Sequence, residues 1–144
     1  MAKSSPIPFR IKSIETQEFA TFKEVYTNEK EVGISTGFNF GMDKTNHLVA
    51  VFFNLSFNSK EEDPFVLLKV RIEFDVEPKV FEGFKSKRAK KWILPKDFLI
   101  HLSALSLGTA RGILHEKISK TEFSHLLLPA LNVSEILEED VEFE

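Results

Sequence analysis

The stretch that most constrains this chain runs from residue 95 to 131, PKDFLIHLSALSLGTARGILHEKISKTEFSHLLLPAL. It reads as one long helix over about 96–118, a polar loop, and an apolar run ended by Pro129. The helix is apolar on two opposite sides. At about 100° per residue, Phe98, Leu102, Leu105, Thr109 and Ile113 share one face, while Ile100, Leu107, Leu114 and Ile118 lie roughly opposite. A surface helix of a small monomer needs a single apolar stripe. The second stripe calls for cover from outside the chain's own fold, most simply another copy of the protein. Gly108 and Gly112 add to this, because each glycine costs a helix about 1 kcal/mol relative to alanine. A pair of them one turn apart implies a backbone pressed against a neighbour. The expectation is that the Phe98–Ile113 face packs on the chain's own sheet. Ile100, Leu107, Gly108, Gly112, Leu114 and Ile118 are then expected to meet a second subunit, with the opposite assignment of the two faces left open.

The residues before the helix have period two. Residues 1–8, with Pro6 and Pro8, read as a flexible lead-in. FRIKSIETQEF (9–19) reads as a first strand with weak alternation, and 20–30 as a polar loop. Val32, Ile34, Thr36, Phe38 and Phe40 share a face opposite Gly33, Ser35, Gly37 and Asn39. GMDKTN supplies turn chemistry before HLVAVFFNLSFN (47–58). FVLLKVRIEFDV (65–76) alternates most cleanly, with Lys69, Arg71, Glu73 and Asp75 on the face away from Val66, Leu68, Val70, Ile72 and Phe74. That is the signature of an antiparallel strand with one wet face. Residues 77–94 form a crossover that places Phe81, Phe84 and Trp92 around Lys85, Lys87, Arg88, Lys90 and Lys91. Beyond the apolar run, Ser134 is positioned to cap a short helix, and the acidic tail 138–144 reads as frayed. Strands first and helices after make an α+β domain over 9–137.

Several chemistries lack their residues. The chain has no cysteine, so disulfides and thiolate catalysis are out. His47, His101, His115 and His125 form no metal signature; His115-Glu116 opens like a zincin motif, but the second histidine is missing. There is no nucleophile elbow and no phosphate loop, so an enzyme is not expected, nor is a cofactor. Gly33, Gly37 and Gly41 sit inside a strand pattern, where they mark bulges or close backbone approach. The net charge of −3 argues against nucleic acid, although the basic crossover 85–91 is the place where it would bind. An acidic partner, including the chain's own tail, is another occupant for that cluster. No segment approaches 18 uninterrupted apolar residues, and the start has no apolar leader core, so a cytoplasmic protein is the expectation. Phenylalanine is the compositional oddity, 15 against one Trp and one Tyr. It supplies apolar area without a polar tip.

These residues resemble a known family. The opening RIKSI, the strand LLKVRIEF leading into a crossover, and LGTARGILHEKISKTEFSHLLLPALNVSEIL together resemble SecB, the export chaperone, and its SecB-like relatives, over about 9–137. The last segment carries the Ala110-Arg111 pair and a Pro-x-Asn-like element at Pro129, Leu131 and Asn132. The resemblance implies a four-stranded antiparallel sheet packed by one long helix and a short C-terminal helix. It also implies a homotetramer, built as a dimer of dimers. The implied activity is ATP-independent holding of unfolded or unstable polypeptides, preproteins among them, in hydrophobic grooves. Phe81, Phe84, Trp92, Phe123, Leu126 and Leu128 are the residues expected to line that groove, with plain core packing as the alternative for each. The resemblance departs at Ser13, Gln17 and Lys69, where the export chaperone carries the acids that dock the translocase motor. Service to export and protection of an antitoxin therefore both stay open. The reading from another class is an oligomeric scaffold that binds a folded partner or nucleic acid through residues 85–91.

Overall fold

The structure, a computed structural model, describes residues 8–26, 32–59, 63–88 and 90–144. The lead-in expected over 1–8 lies outside these, apart from Pro8, whose carbonyl accepts a hydrogen bond from the Glu77 N–H at 2.7 Å. Four strands, β1 (Phe9–Thr21), β2 (Gly33–Asp43), β3 (Leu48–Asn58) and β4 (Pro64–Val76), pair antiparallel in the order β1-β4-β3-β2. The two most apolar strands take the centre, where both edges are paired and one face is covered. Val49, Val51, Phe53, Leu55 and Phe57 of β3 and Val66, Leu68, Val70, Ile72 and Phe74 of β4 are all buried on one side of the sheet. The other side carries Asn54, Ser56, Lys69, Arg71 and Glu73, with Lys69 paired to Glu18 at 3.4 Å.

The bulges are not at the glycines. The β2–β3 register runs unbroken from Gly33↔Asn58 to Asp43↔Leu48. Slips occur instead in β1–β4, at Ile11/Ser13 and Thr16/Glu18, and in β3–β4 at Phe57/Asn58. They explain the weak alternation of β1, since each extra residue reverses the face taken by the residues after it. Of the three strand glycines only Gly41 meets close approach, where a Cβ would stand 3.3 Å from the Phe52 ring. In the β2–β3 turn Asp43 accepts from the Thr45 and Asn46 N–H groups, both at 3.0 Å, and from the Asn46 side-chain amide at 2.9 Å. The Asn46 side chain first, then its N–H, hold the exposed Asp43 carboxyl below its usual range.

A long helix, α2 (Lys96–Ile118), lies across β3 and β4. Its buried stripe is Leu99, Leu102, Ser103, Ser106, Leu107, Ala110, Leu114 and Ile118. This corrects the expected division of faces. The stripe runs between the two apolar sides, taking Leu102 from one and Leu107, Leu114 and Ile118 from the other. Leu99, Ser103, Ser106 and Ala110 form its middle. Three of these four are small, so the helix settles close to the sheet while longer side chains reach down on both flanks. Ser106 removes its own polarity by donating to the Leu102 carbonyl at 2.8 Å. The Ser103 hydroxyl, equally buried, has no partner among the described residues.

The crossover contains a one-turn helix, α1 (Pro78–Glu82), and two short strands, β5 (Lys85–Ser86) and β6 (Lys91–Leu94). After α2 comes α3 (Val133–Ile136), capped by Asn132 rather than Ser134: the Asn132 side chain accepts from the Ser134 N–H at 3.2 Å. The tail is not frayed. Val141–Phe143 forms β7 and completes a second sheet in the order β5-β6-β7. Asp140 accepts from the Lys96 N–H at 2.7 Å. The cap of α2 thus comes from the tail, not from Asp97, which sits in the first turn without a capping bond.

Candidate functional site

The aromatic residues of the crossover form a cluster. Phe81 lies 5.4 Å from Trp92, 6.0 Å from Phe84 and 5.1 Å from His47, ring centre to ring centre. Phe84 lies tilted against Phe98 at 5.1 Å, and Phe98 meets Phe9 at 5.6 Å. At the other end of the sheet Phe123, Phe65 and Tyr26 form a second cluster, with separations of 4.9 to 5.5 Å. Phe65 belongs there because the slip at Phe57/Asn58 ends the strict alternation of β4. Phe81, Phe84 and Phe123 are buried in these clusters. None of the three lines the groove described below, and their rings are spent on one another and on the core, so they act as core residues. Trp92 is half-buried.

Leu126 and Leu128 are placed differently. The segment after α2 folds back along the helix, held by Arg111, whose guanidinium donates to the Leu128 carbonyl at 3.3 Å and the Pro129 carbonyl at 3.2 Å. Between segment and helix lies a groove of about 500 Å³ lined by Gly108, Arg111, Gly112, Leu114, His115 and Leu126 to Leu128. Leu127, between its two mostly buried neighbours, is 71% exposed. Sequence reasoning assigns Leu126 and Leu128 to one role and Gly108, Gly112 and Leu114 to another; the fold brings all five together. It misses Arg111 as the clamp, and His115 and Leu127 as lining. The signal for the clamp is present in the Ala110-Arg111 pair, but its target, two main-chain carbonyls, leaves no mark in a sequence.

The expected oligomer face divides in the same way. Leu107, Leu114 and Ile118 are buried within the chain itself and Ile100 is half-buried. Packing within the chain takes nearly all the surface of the first three. Gly108 and Gly112 are exposed, and a Cβ on either would meet nothing within 4 Å. Among the described residues, nothing accounts for the missing side chains at these positions.

The inner face of the sheet is also incompletely covered. Ile11 and Ile14 sit opposite Phe74 and Ile72, and Ile34 opposite Phe57, so all three share the face that α2 packs against. Yet Ile14 is 50% exposed and Ile11 43%. One helix covers two strands, and the edge strands keep apolar surface in the open beside it. Leu105, on the outer side of α2, is 40% exposed. The basic crossover is partly neutralised: Lys91 pairs with Glu142 at 3.2 Å, and Lys85 stands over the Trp92 ring at 5.9 Å. Among the described residues no three His, Asp or Glu gather as a metal site, and no helix is long and apolar enough to cross a membrane.

No protein-family profile and no curated protein matches the sequence. Solved structures do match. The chain is similar to the Mycobacterium tuberculosis SecB-like chaperone Rv1957, solved in complex with a ChAD peptide from the Rv1956 HigA1 antitoxin. The TM-score is 0.50 at 11% identity, covering 86% of this chain and 91% of that one. The fold is SecB-like. At that identity the match speaks for architecture: the four-stranded antiparallel sheet, the long helix across it and the short helix after it. Within this SecB-like frame, the groove between α2 and residues 126–128 and the uncovered flanks of the sheet are apolar surfaces left exposed.

Proposed function

We propose that this chain is an ATP-independent holdase that binds unfolded or unstable polypeptides through apolar surface beside α2. The observation that carries the reading is the groove along Gly108 and Gly112. It is an apolar channel beside a helix face without side chains, closed on one side by leucines and clamped by Arg111. Such a channel fits an extended chain with apolar side chains better than a small polar ligand. Ile11, Ile14 and Leu127 extend the apolar contact available to a long client. The partner in the matched structure is an antitoxin peptide, so a short unstable segment of a regulatory protein is the first client class to test, ahead of export preproteins. Assembly as a homotetramer belongs to the same reading, supported by the two exposed helix glycines. No catalytic role is assigned.

The test is light scattering of a slowly refolding client with the protein added at one to one. Suppressed aggregation supports the reading, and unaltered aggregation overturns it. Solution mass tests the assembly, with about 66 kDa expected, four times the 16.5 kDa of one chain.

A further inference from the structure

We propose that the edge of β6 opposite β5 is a strand-addition site for an extended acidic-apolar peptide, and that β7 of the same chain occupies it at rest. The proposal deepens the polypeptide-binding reading and rests on it for the class of partner.

The pairing is that of a bound peptide. β7 lies antiparallel to β6 in the register Trp92↔Phe143, Ile93↔Glu142 and Leu94↔Val141. The Ile93 N–H donates at 2.8 Å to the Phe84 carbonyl, beside β5. The alternation of an antiparallel ladder therefore turns the Trp92 and Leu94 main-chain groups toward β7. Without β7 these groups form an open edge, the kind to which extended peptides add.

Side chains supply the selectivity. Residues 140–144, DVEFE, alternate strictly. Val141 and Phe143 pack against the core. On the other side Asp140 takes the Lys96 N–H at 2.7 Å, Glu142 takes Lys91 at 3.2 Å, and the main-chain oxygen of Glu144 takes Lys44. The Lys96 N–H and the Lys91 ammonium select acids at i and i+2 around apolar residues, and Lys44 holds the main chain two residues further on. The occupant is short. Three residues of ladder and exposed charge pairs, each worth little, hold it in place, so an incoming segment with the same pattern and a longer reach competes with it.

The chain itself carries the probe, because Trp92 is its one tryptophan and faces Phe143 across the ladder. The full-length protein is titrated with a labelled peptide LEEDVEFE, following anisotropy and Trp92 emission. The tethered strand keeps most edges occupied, so uptake by the native chain is expected to be weak. Glu142→Lys with Phe143→Ser is expected to raise the apparent affinity about tenfold or more, by increasing the open fraction. A peptide with lysines in place of its acids is expected not to bind. Ile93→Cys with Glu142→Cys supplies a lock in a chain that has no other cysteine. Oxidised, it is expected to refuse the peptide; reduced, to accept it. Equal affinity in native and weakened chains, no uptake by either, or uptake by the locked form overturns the proposal. The holdase reading fails separately: a chain that binds LEEDVEFE but leaves client aggregation unaltered would keep the β6 site and lose the chaperone.

Discussion

Replacing Gly108 and Gly112 with alanine sets two physical effects against each other. Both residues are helical, exposed, and surrounded by nothing within 4 Å of an added Cβ. In the single chain the substitution therefore carries no steric cost. Each change is worth about 1 kcal/mol of helix propensity. The pair should stabilise the isolated chain by about 2 kcal/mol, roughly 6–8 °C in melting temperature for a domain of this size. The two methyl groups, however, stand in the groove beside Leu126 to Leu128 and, in the proposed assembly, on the face offered to a second copy. Client suppression should fall several-fold, and the assembly should dissociate at lower dilution. The assay is thermal unfolding by circular dichroism over a dilution series, with solution mass and light scattering on the same samples. A more stable chain with mass and client uptake unchanged would refute the claim that these glycines serve a partner. A less stable chain at high dilution would refute the open surroundings of the two glycines.

Phe81→Ala should cost about 3–5 kcal/mol in denaturant unfolding, the range for a fully buried aromatic. A small loss of stability with a large loss of client uptake would return Phe81 to the groove. Arg111→Ala removes two charge-assisted bonds to the Leu128 and Pro129 carbonyls and should destabilise the 126–131 segment by about 1–3 kcal/mol. Hydrogen exchange should show faster amides there and unchanged protection in β3 and β4. Leu127→Ser should leave stability within about 0.5 kcal/mol, as at other exposed sites, and weaken client binding. Unchanged binding would take Leu127 out of the site.

Legibility differs between elements for identifiable reasons. β3, β4 and the bounds of α2 are readable because long uninterrupted periodicity leaves few alternatives. The buried face of α2 departs from expectation because Ser103 and Ser106 count as polar in a periodicity. In a helix a serine hydroxyl can turn back on the chain's own carbonyl, as Ser106 does, and the residue then packs as a small core residue. The tail departs because DVEFE reads as a charge run, although its alternation is that of a strand. The groove is half-legible. Leu126 and Leu128 stand out as an apolar run and Gly108 and Gly112 as a spacing, but nothing local says that the two meet.

By itself the sequence determined only features that local chemistry dictates: a strand-then-helix order, a sheet with one wet face, a long helix, and no thiol chemistry. Hydrophobic period and composition act over a few residues, and each of these features depends on nothing longer. The tertiary structure decided which residues are free. Phe81, Phe84 and Phe123 went to the core because the crossover and the post-helix turn close over them. Gly108 and Gly112 stayed open because the face of α2 that packed on the sheet is the one opposite them. Exposure is a property of what packs against a residue, and that depends on partners dozens of positions away in the chain.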